Sequence, residues 1–299
     1  MLTAIGIPTF NRGNILLNTI NEVLSHDIPV DEIIVVDQSD WYPEGVREQL
    51  DILSQQGAIV YLRQDTPNLP MARNRILVES TCDIVIFIDD DVSLSSGFVA
   101  AHKANYTDQD VWAVCGGLSE EELPIRPFRQ RTWPKILDYK HFDLAWGTRE
   151  EDFGNFKGCN HSVRRGIALE LNGYDEAFQG VALREETDMA FRIMDADGRI
   201  VFDPEAHLHH LRAPAGGCRV NTWGDWSAGR ASMRFALKNR KLLGRYVWPE
   251  LWYAYRLGVL NRNNWKHPGR IAVRTGMFLS AMALGLIGCQ IPKSWTGSL

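Results

Sequence analysis

Four uninterrupted apolar runs early in the chain constrain its fold more than any other feature. They are residues 3–8 (TAIGIP), 33–36 (IIVV), 58–62 (AIVYL) and 84–88 (IVIFI). Between them, Leu16, Leu17, Ile20, Val23 and Leu24 recur at helical spacing, and Val46, Leu50 and Leu53 mark a second amphipathic helix ended by Gly57. A third helix is predicted from about residue 70 to 79. Continuous apolar strands separated by amphipathic helices indicate a parallel sheet covered on both faces. The predicted class is α/β: a Rossmann-like, mostly parallel central sheet flanked by helices, with a C-terminal helical extension.

The pattern breaks after about residue 117. Residues 119–135 mix charge, proline and aromatics and read as a long loop, a type of segment that often carries function. Beyond Pro214 the composition shifts toward tryptophan and arginine. This divides the chain into an α/β domain at 1–212 and a helical, aromatic and basic region at 213–299. Residues 275–292 carry no charge and follow an aromatic, basic stretch at 244–270. Three arrangements stay open there: a buried helix, contact with a membrane surface, or a membrane span.

The net charge of −5 argues against a nucleic-acid partner. Five scattered cysteines form no CxxC pair, which fits a reducing compartment. The N-terminus reads as a first strand rather than a signal peptide. The expected location is cytoplasmic, with peripheral contact at the inner membrane face as its extension.

The fourth apolar run ends on Asp89, Asp90 and Asp91. Ligands of open parallel sheets bind beyond the carboxyl ends of the strands. Along an extended strand Asp89 and Asp91 point one way and Asp90 the other. Carboxylates crowded near low dielectric repel and take up protons unless a cation sits between them. Mg²⁺ or Mn²⁺ suits such hard oxygen ligands. Against this stands a solvated turn with one aspartate capping a helix. The second run likewise ends on Asp37, and the first leads into Pro8, Thr9, Asn11 and Arg12. No G-x-G-x-x-G and no Walker loop is present.

These ordered stretches resemble glycosyltransferase family 2, inverting nucleotide-sugar transferases with a GT-A fold. Residues 5–12 (IGIPTFNR) look like that family's first strand and nucleotide loop, and 32–40 (EIIVVDQSD) like its second strand. Residues 71–77 (MARNRIL) resemble a helix start near the donor, and 87–92 (FIDDDV) the DxD motif. The resemblance spans roughly residues 3–215. It implies donor contacts from Pro8, Thr9, Asn11, Arg12, Asp37, Arg73, Asp89 and Asp90, and a metal on Asp89 and Asp91. Residues 157–165 (KGCNHSVRR) resemble a further contact segment, which adds Asn160 and Arg164 to the donor set.

Residues 183–193 (LREETDMAFRI) resemble the family segment that carries the catalytic acid. By position Glu186 is the base, with Glu185 as the other candidate. Asp188 and Arg192 read as a solvated helix ion pair. Among the histidines of 206–219, His210 is the further metal ligand implied and His207 the second choice. Gly216 and Gly217 read as a lid hinge.

The implied reaction is inverting transfer from a UDP-, GDP- or dTDP-sugar to a hydroxyl of a glycan or lipid-linked glycan, in cell-surface polysaccharide synthesis. A sugar- or nucleotide-binding protein without turnover, and a sugar nucleotidyltransferase, are the competing readings. Nothing in the sequence speaks to oligomeric state.

Overall fold

The computed structural model describes residues 1–120, 134–141, 148–217, 226–260 and 264–286. Most of the expected 119–135 loop, and the end of the uncharged 275–292 segment, lie outside the described residues.

The first half alternates as its apolar periodicity requires. β1 (Thr3–Thr9), α1 (Asn14–Leu24), β2 (Glu32–Asp37), α2 (Val46–Gln55), β3 (Val60–Arg63), α3 (Leu69–Glu79) and β4 (Ile84–Ile88) follow one another. β5 (Val92–Leu94), α4 (Phe98–Ala104), β6 (Val111–Ser119), α5 (Asp138–His141), β7 (Asn160–Arg164), α6 (Arg165–Glu170), α7 (Glu185–Asp195) and β8 (Arg199–His210) complete the α/β body. α8 (Trp226–Lys238), α9 (Arg240–Leu243), α10 (Val247–Gly258) and α11 (Pro268–Leu286) close the chain.

The eight strands form one mixed sheet in the order β3-β2-β1-β4-β7-β6-β8-β5. β3, β2, β1 and β4 run parallel, with Thr9 opposite Asp37. Their carboxyl ends therefore share one edge. β7 is antiparallel to β4, pairing Asn160 with Ile88 and Arg164 with Ile84. β8 runs parallel to β6 and antiparallel to β5, placing His210 opposite Val92.

Strand alternation sorts the core into two faces. Ile5, Ile7, Val35, Ile86 and Ile88 pack with α1, α2 and α4. Ala4, Ile34, Val36, Val85 and Phe87 pack with α3, α6 and α7. Gly6 is needed where α3 crosses β1: a Cβ there would lie 2.6 Å from Ile76 Cγ2.

A separate apolar cluster joins the C-terminal helices to the body through Tyr139, Phe178, Phe191 and Phe235. Asp188 locks this junction. Its buried carboxylate accepts from Arg192 (3.0 Å), Lys238 (2.8 Å) and Asn239 (3.0 Å). The expectation of a solvated Asp188–Arg192 pair is thus corrected, because α8 covers this face of α7. Among the described residues no helix is long and apolar enough to cross a membrane. α11 buries Phe278 and exposes Val273 and Leu279, so it is half-covered rather than a buried core helix.

Candidate active site

The strand ends bring three aspartates to one corner and give them different partners. Asp90 turns toward the α1 face. It accepts from Thr9 Oγ1 at 2.6 Å and pairs with Arg12 Nε at 3.0 Å. Its main-chain carbonyl accepts from Thr19. Burial pushes its carboxyl up to about 7, against the opposing pull of Arg12 and Thr9. Both Asp90 oxygens are thus engaged inside the fold, one by Thr9 and one by Arg12.

Asp89 and Asp91 lie with His210. One ligand atom from each sits within 4.8 Å of the other two. His210 Nε2 is 3.3 Å from Asp91 Oδ1 and 3.9 Å from Asp89 Oδ2. Asp91 is fully buried; its Oδ2 accepts from the Ala213 amide at 2.8 Å, and Arg12 lies 3.3 Å away. Despite burial, the hydrogen bond with His210 and the Arg12 charge hold its carboxyl below the ordinary aspartate range. Burial and the neighbouring Asp91 carboxylate raise Asp89. The His210 imidazole is raised: burial works against its charge, but Asp91, Asp89 and Glu120 outweigh it.

Glu120, at the end of β6, fixes that imidazole. Its Oε1 lies 2.8 Å from His210 Nδ1, and its Oε2 accepts from Arg212 at 3.1 Å. A carboxylate on the far nitrogen aims Nε2 at the two aspartates, as second partners of metal-bound histidines do. The sequence reading missed Glu120, which stands in an acidic run with no periodic cue. These donors fit a divalent ion: two carboxylate oxygens and an imidazole nitrogen converge within 4.8 Å of one another, and buried Asp91 Oδ1 is turned toward the other two groups. Glu120→Gln is expected to weaken Mn²⁺ binding about 10- to 100-fold, measured by calorimetric titration. Unchanged affinity would show that Glu120 does not orient the ligand.

Several residues expected at the donor have internal partners in the fold. Asp37 is buried and accepts from the Ser39 amide, Tyr42 and Tyr61, with Arg63 3.3 Å away. Asn11, at φ 55°, accepts from the Asp40 and Trp41 amides. Pro8 is buried within β1 opposite Val36. Arg12 donates to the Ala213 and Ala215 carbonyls besides pairing with the aspartates. Gly216 and Gly217 sit against Arg12, and the Gly217 amide donates to the Phe10 carbonyl at 2.7 Å. This loop is sealed onto the end of β1 as it stands.

Arg73 is buried and paired with Glu185, which is equally buried. It also donates to the Gly158 carbonyl at 3.0 Å. Asn160 is corrected as a donor contact: its side chain donates to the Gly117 and Ala206 carbonyls beneath the corner. Arg164 is corrected too, because β7 runs antiparallel and carries it to the opposite sheet edge. There it holds the Val111, Tyr106 and Asp108 carbonyls. His207 lies apart from the acidic corner, with Nδ1 3.0 Å from Ser95 Oγ.

Glu185 and Glu186 divide as helical spacing requires. Glu185 faces the core with Met189, and Glu186 is part-exposed at the start of α7. Glu186 has no hydrogen bond or ion pair among the described residues. Its charge acts on Lys157, whose ammonium is lowered mainly by burial. Two residues on, the Cys159 thiol is raised by burial and by Asp89. Lys157 and Cys159 belong to the 157–165 stretch, from which the sequence reading chose Asn160 and Arg164 instead. Trp41, whose amide donates to Asn11 Oδ1 past the end of β1, is 63% exposed and was also passed over.

Comparison with known proteins agrees with this architecture. The chain is 27% identical over 214 residues to the succinoglycan biosynthesis protein ExoM of Rhizobium meliloti, covering 69% of this chain and 65% of that protein. It is 24% identical to the glucosyl-dolichyl phosphate glucuronosyltransferase of Haloferax volcanii, covering 64% and 63%. The chain thus spans slightly under two thirds of each relative.

Among solved structures, S. aureus TarS 1-349 in complex with UDP-GlcNAc superposes with a TM-score of 0.63 at 12% identity, covering 94% of this chain and 82% of that one. The mannosyltransferase PcManGT from Pyrobaculum calidifontis, in complex with GDP-Man and Mn²⁺, gives 0.59 at 15% identity, covering 98% and 77%. At such identities these two show the fold, and it is the GT-A fold. Residues 4–170, more than half of the chain, match glycosyl transferase family 2, and the chain belongs to that family.

Proposed function

We propose that this protein is a metal-dependent inverting glycosyltransferase that moves a sugar from a nucleoside-diphosphate donor to a hydroxyl of a glycan or lipid-linked glycan. The convergence of Asp89, Asp91 and His210 at the donor edge of the sheet carries this reading. Synthesis of a cell-surface polysaccharide is its context, supported by the likeness to a succinoglycan biosynthesis protein.

Asp89, Asp91 and His210 would hold a Mn²⁺ or Mg²⁺ ion, which when bound supplies positive charge to the departing diphosphate. Glu120 keeps the His210 imidazole oriented. Arg12 neutralises Asp90 and Asp91, so the corner can hold three acidic residues in a folded chain. Thr9 and Asn11 shape the loops on which the nucleotide rests, and the exposed Trp41 indole offers its face to the base. Glu186 takes the proton from the acceptor hydroxyl as that oxygen attacks the anomeric carbon from the side opposite the diphosphate. Displacement in one step inverts the anomeric centre. Arg73 stays bonded to Glu185 and fixes the start of α7, which aims Glu186.

Incubation with a panel of UDP-, GDP- and dTDP-sugars tests the proposal. Release of a nucleoside diphosphate together with an inverted glycoside supports it; release of pyrophosphate points to a nucleotidyltransferase instead. In thermal melts, saturating Mn²⁺ with the matching nucleoside diphosphate is expected to raise Tm by about 5 °C. The same nucleotide in a chelated buffer is expected to give little shift. Equal shifts with and without divalent ion would remove the metal from the donor site.

A further inference from the structure

The C-terminal helices carry a charge and aromatic pattern that sugar transfer does not use. Residues 226–286 hold eleven of the chain's 32 Lys and Arg but only one of its 37 Asp and Glu, Glu250. That is a surplus of ten positive charges within a chain of net charge −5. The single acid is buried and already paired with Lys140 and Arg184. Some of the cations are structural, as Arg234 and Lys238 are on Asp175. Lys241, Arg245, Arg256, Lys266 and Arg270 are exposed, and none pairs with a carboxylate among the described residues.

Large apolar side chains stand exposed among these cations. Trp248 is 59% exposed, Trp252 57% and Trp265 71%. Trp248, Trp252 and Arg256 follow at i, i+4 and i+8, one outward stripe of α10. α11 continues this surface. Trp252 stacks on Tyr255 at 5.8 Å, and Tyr255 packs edge-on against Phe278 of α11 at 5.3 Å. α11 turns Ile271, Arg274 and Phe278 toward its neighbours and leaves Ala272, Val273, Gly276 and Leu279 outward. Past Arg274 the helix has no charged residue. Basic side chains interleaved with outward tryptophan, beside an uncharged apolar helix face, match the headgroup–acyl boundary of a bilayer.

We propose that the exposed side of α9, α10 and α11, with Trp265 and Lys266 between the last two, docks this protein on an anionic lipid bilayer, with the three tryptophans at the headgroup level and the five cations on lipid phosphates. A second copy is disfavoured because it would set two basic faces against each other. Nucleic acid would use the cations but leave Val273 and Leu279 without purpose. The inference deepens the transfer reading, since a lipid-linked acceptor is presented at such a surface. Its test needs no donor, so the two stand or fall separately: a chain that glycosylates a soluble acceptor yet ignores vesicles overturns this inference alone.

The experiment is co-sedimentation of the full chain with vesicles of phosphatidylcholine, alone or with one part in three phosphatidylglycerol, alongside tryptophan fluorescence. Binding to the anionic vesicles, a blue-shifted emission and release by salt are expected. Trp248→Ser with Trp252→Ser should weaken binding on the order of tenfold. Lys266→Gln and Arg270→Gln should each weaken it roughly fivefold while leaving the thermal midpoint in place. If the tryptophan variant unfolds, the two charge variants decide. No binding to anionic vesicles at low salt overturns the proposal, as does unchanged binding in the charge variants. So does dimerisation or nucleic-acid binding through this face without vesicle binding.

Discussion

Asp91→Asn is expected to lower the rate of sugar transfer by about a thousandfold or more. Asp91 is fully buried, and its two oxygens have separate duties: Oδ2 accepts from the Ala213 amide and Oδ1 faces His210. Asparagine keeps the size and the acceptor for Ala213, so the corner stays folded. It removes the charge that makes the site attract a divalent ion, and leaves Arg12 with Asp90 alone. The loss should appear in kcat, persist at saturating donor and come with weakened Mn²⁺ binding. Initial rates over a Mn²⁺ series measure it. A variant that turns over at the wild-type rate in chelated buffer would end the metal-assisted reading.

Glu186→Gln is expected to cost about 10²- to 10⁴-fold in kcat, the usual contribution of a positioned base, with donor affinity retained. Glu186 is part-exposed and makes no hydrogen bond or ion pair among the described residues, so the amide should fold normally. Its neighbour supplies the contrast. Glu185→Gln breaks a buried ion pair with Arg73, and an uncompensated buried charge typically costs about 3–5 kcal/mol. One substitution should silence a stable protein; the other should lower its melting temperature. Kinetics and thermal unfolding on the two variants separate the roles. If Glu186→Gln transfers normally, the base lies elsewhere.

Much of the site was legible as strand ends. Asp89 to Asp91 follow five apolar residues, and strand alternation already separates Asp90 from its neighbours. The helical period likewise distinguishes Glu185 from Glu186 before any contact is known. Legibility stopped where a side chain's partner comes from a distant element. Asp37 and Arg12 look like ligand contacts in sequence because charge at a strand end is unusual. Their tyrosine, arginine and aspartate partners arrive only on folding. Arg164 misled for a topological reason: its motif gives no strand direction, and the antiparallel β7 carries it away from the corner. Asp188 misled because the sequence does not say that α8 covers α7.

By itself, the sequence determined the order of the first four strands and three helices, their buried faces and the acidic termini of β2 and β4. These depend on periodicities of two and 3.6 residues, which are local. Tertiary structure alone decided which acids work together. β8 pairs with β5 and β6, and this brings His210 to Asp91 and to Glu120, ninety residues away in the chain. The physical reason is that burial sets how strongly charges act on one another, and burial at this corner comes from segments far apart in sequence.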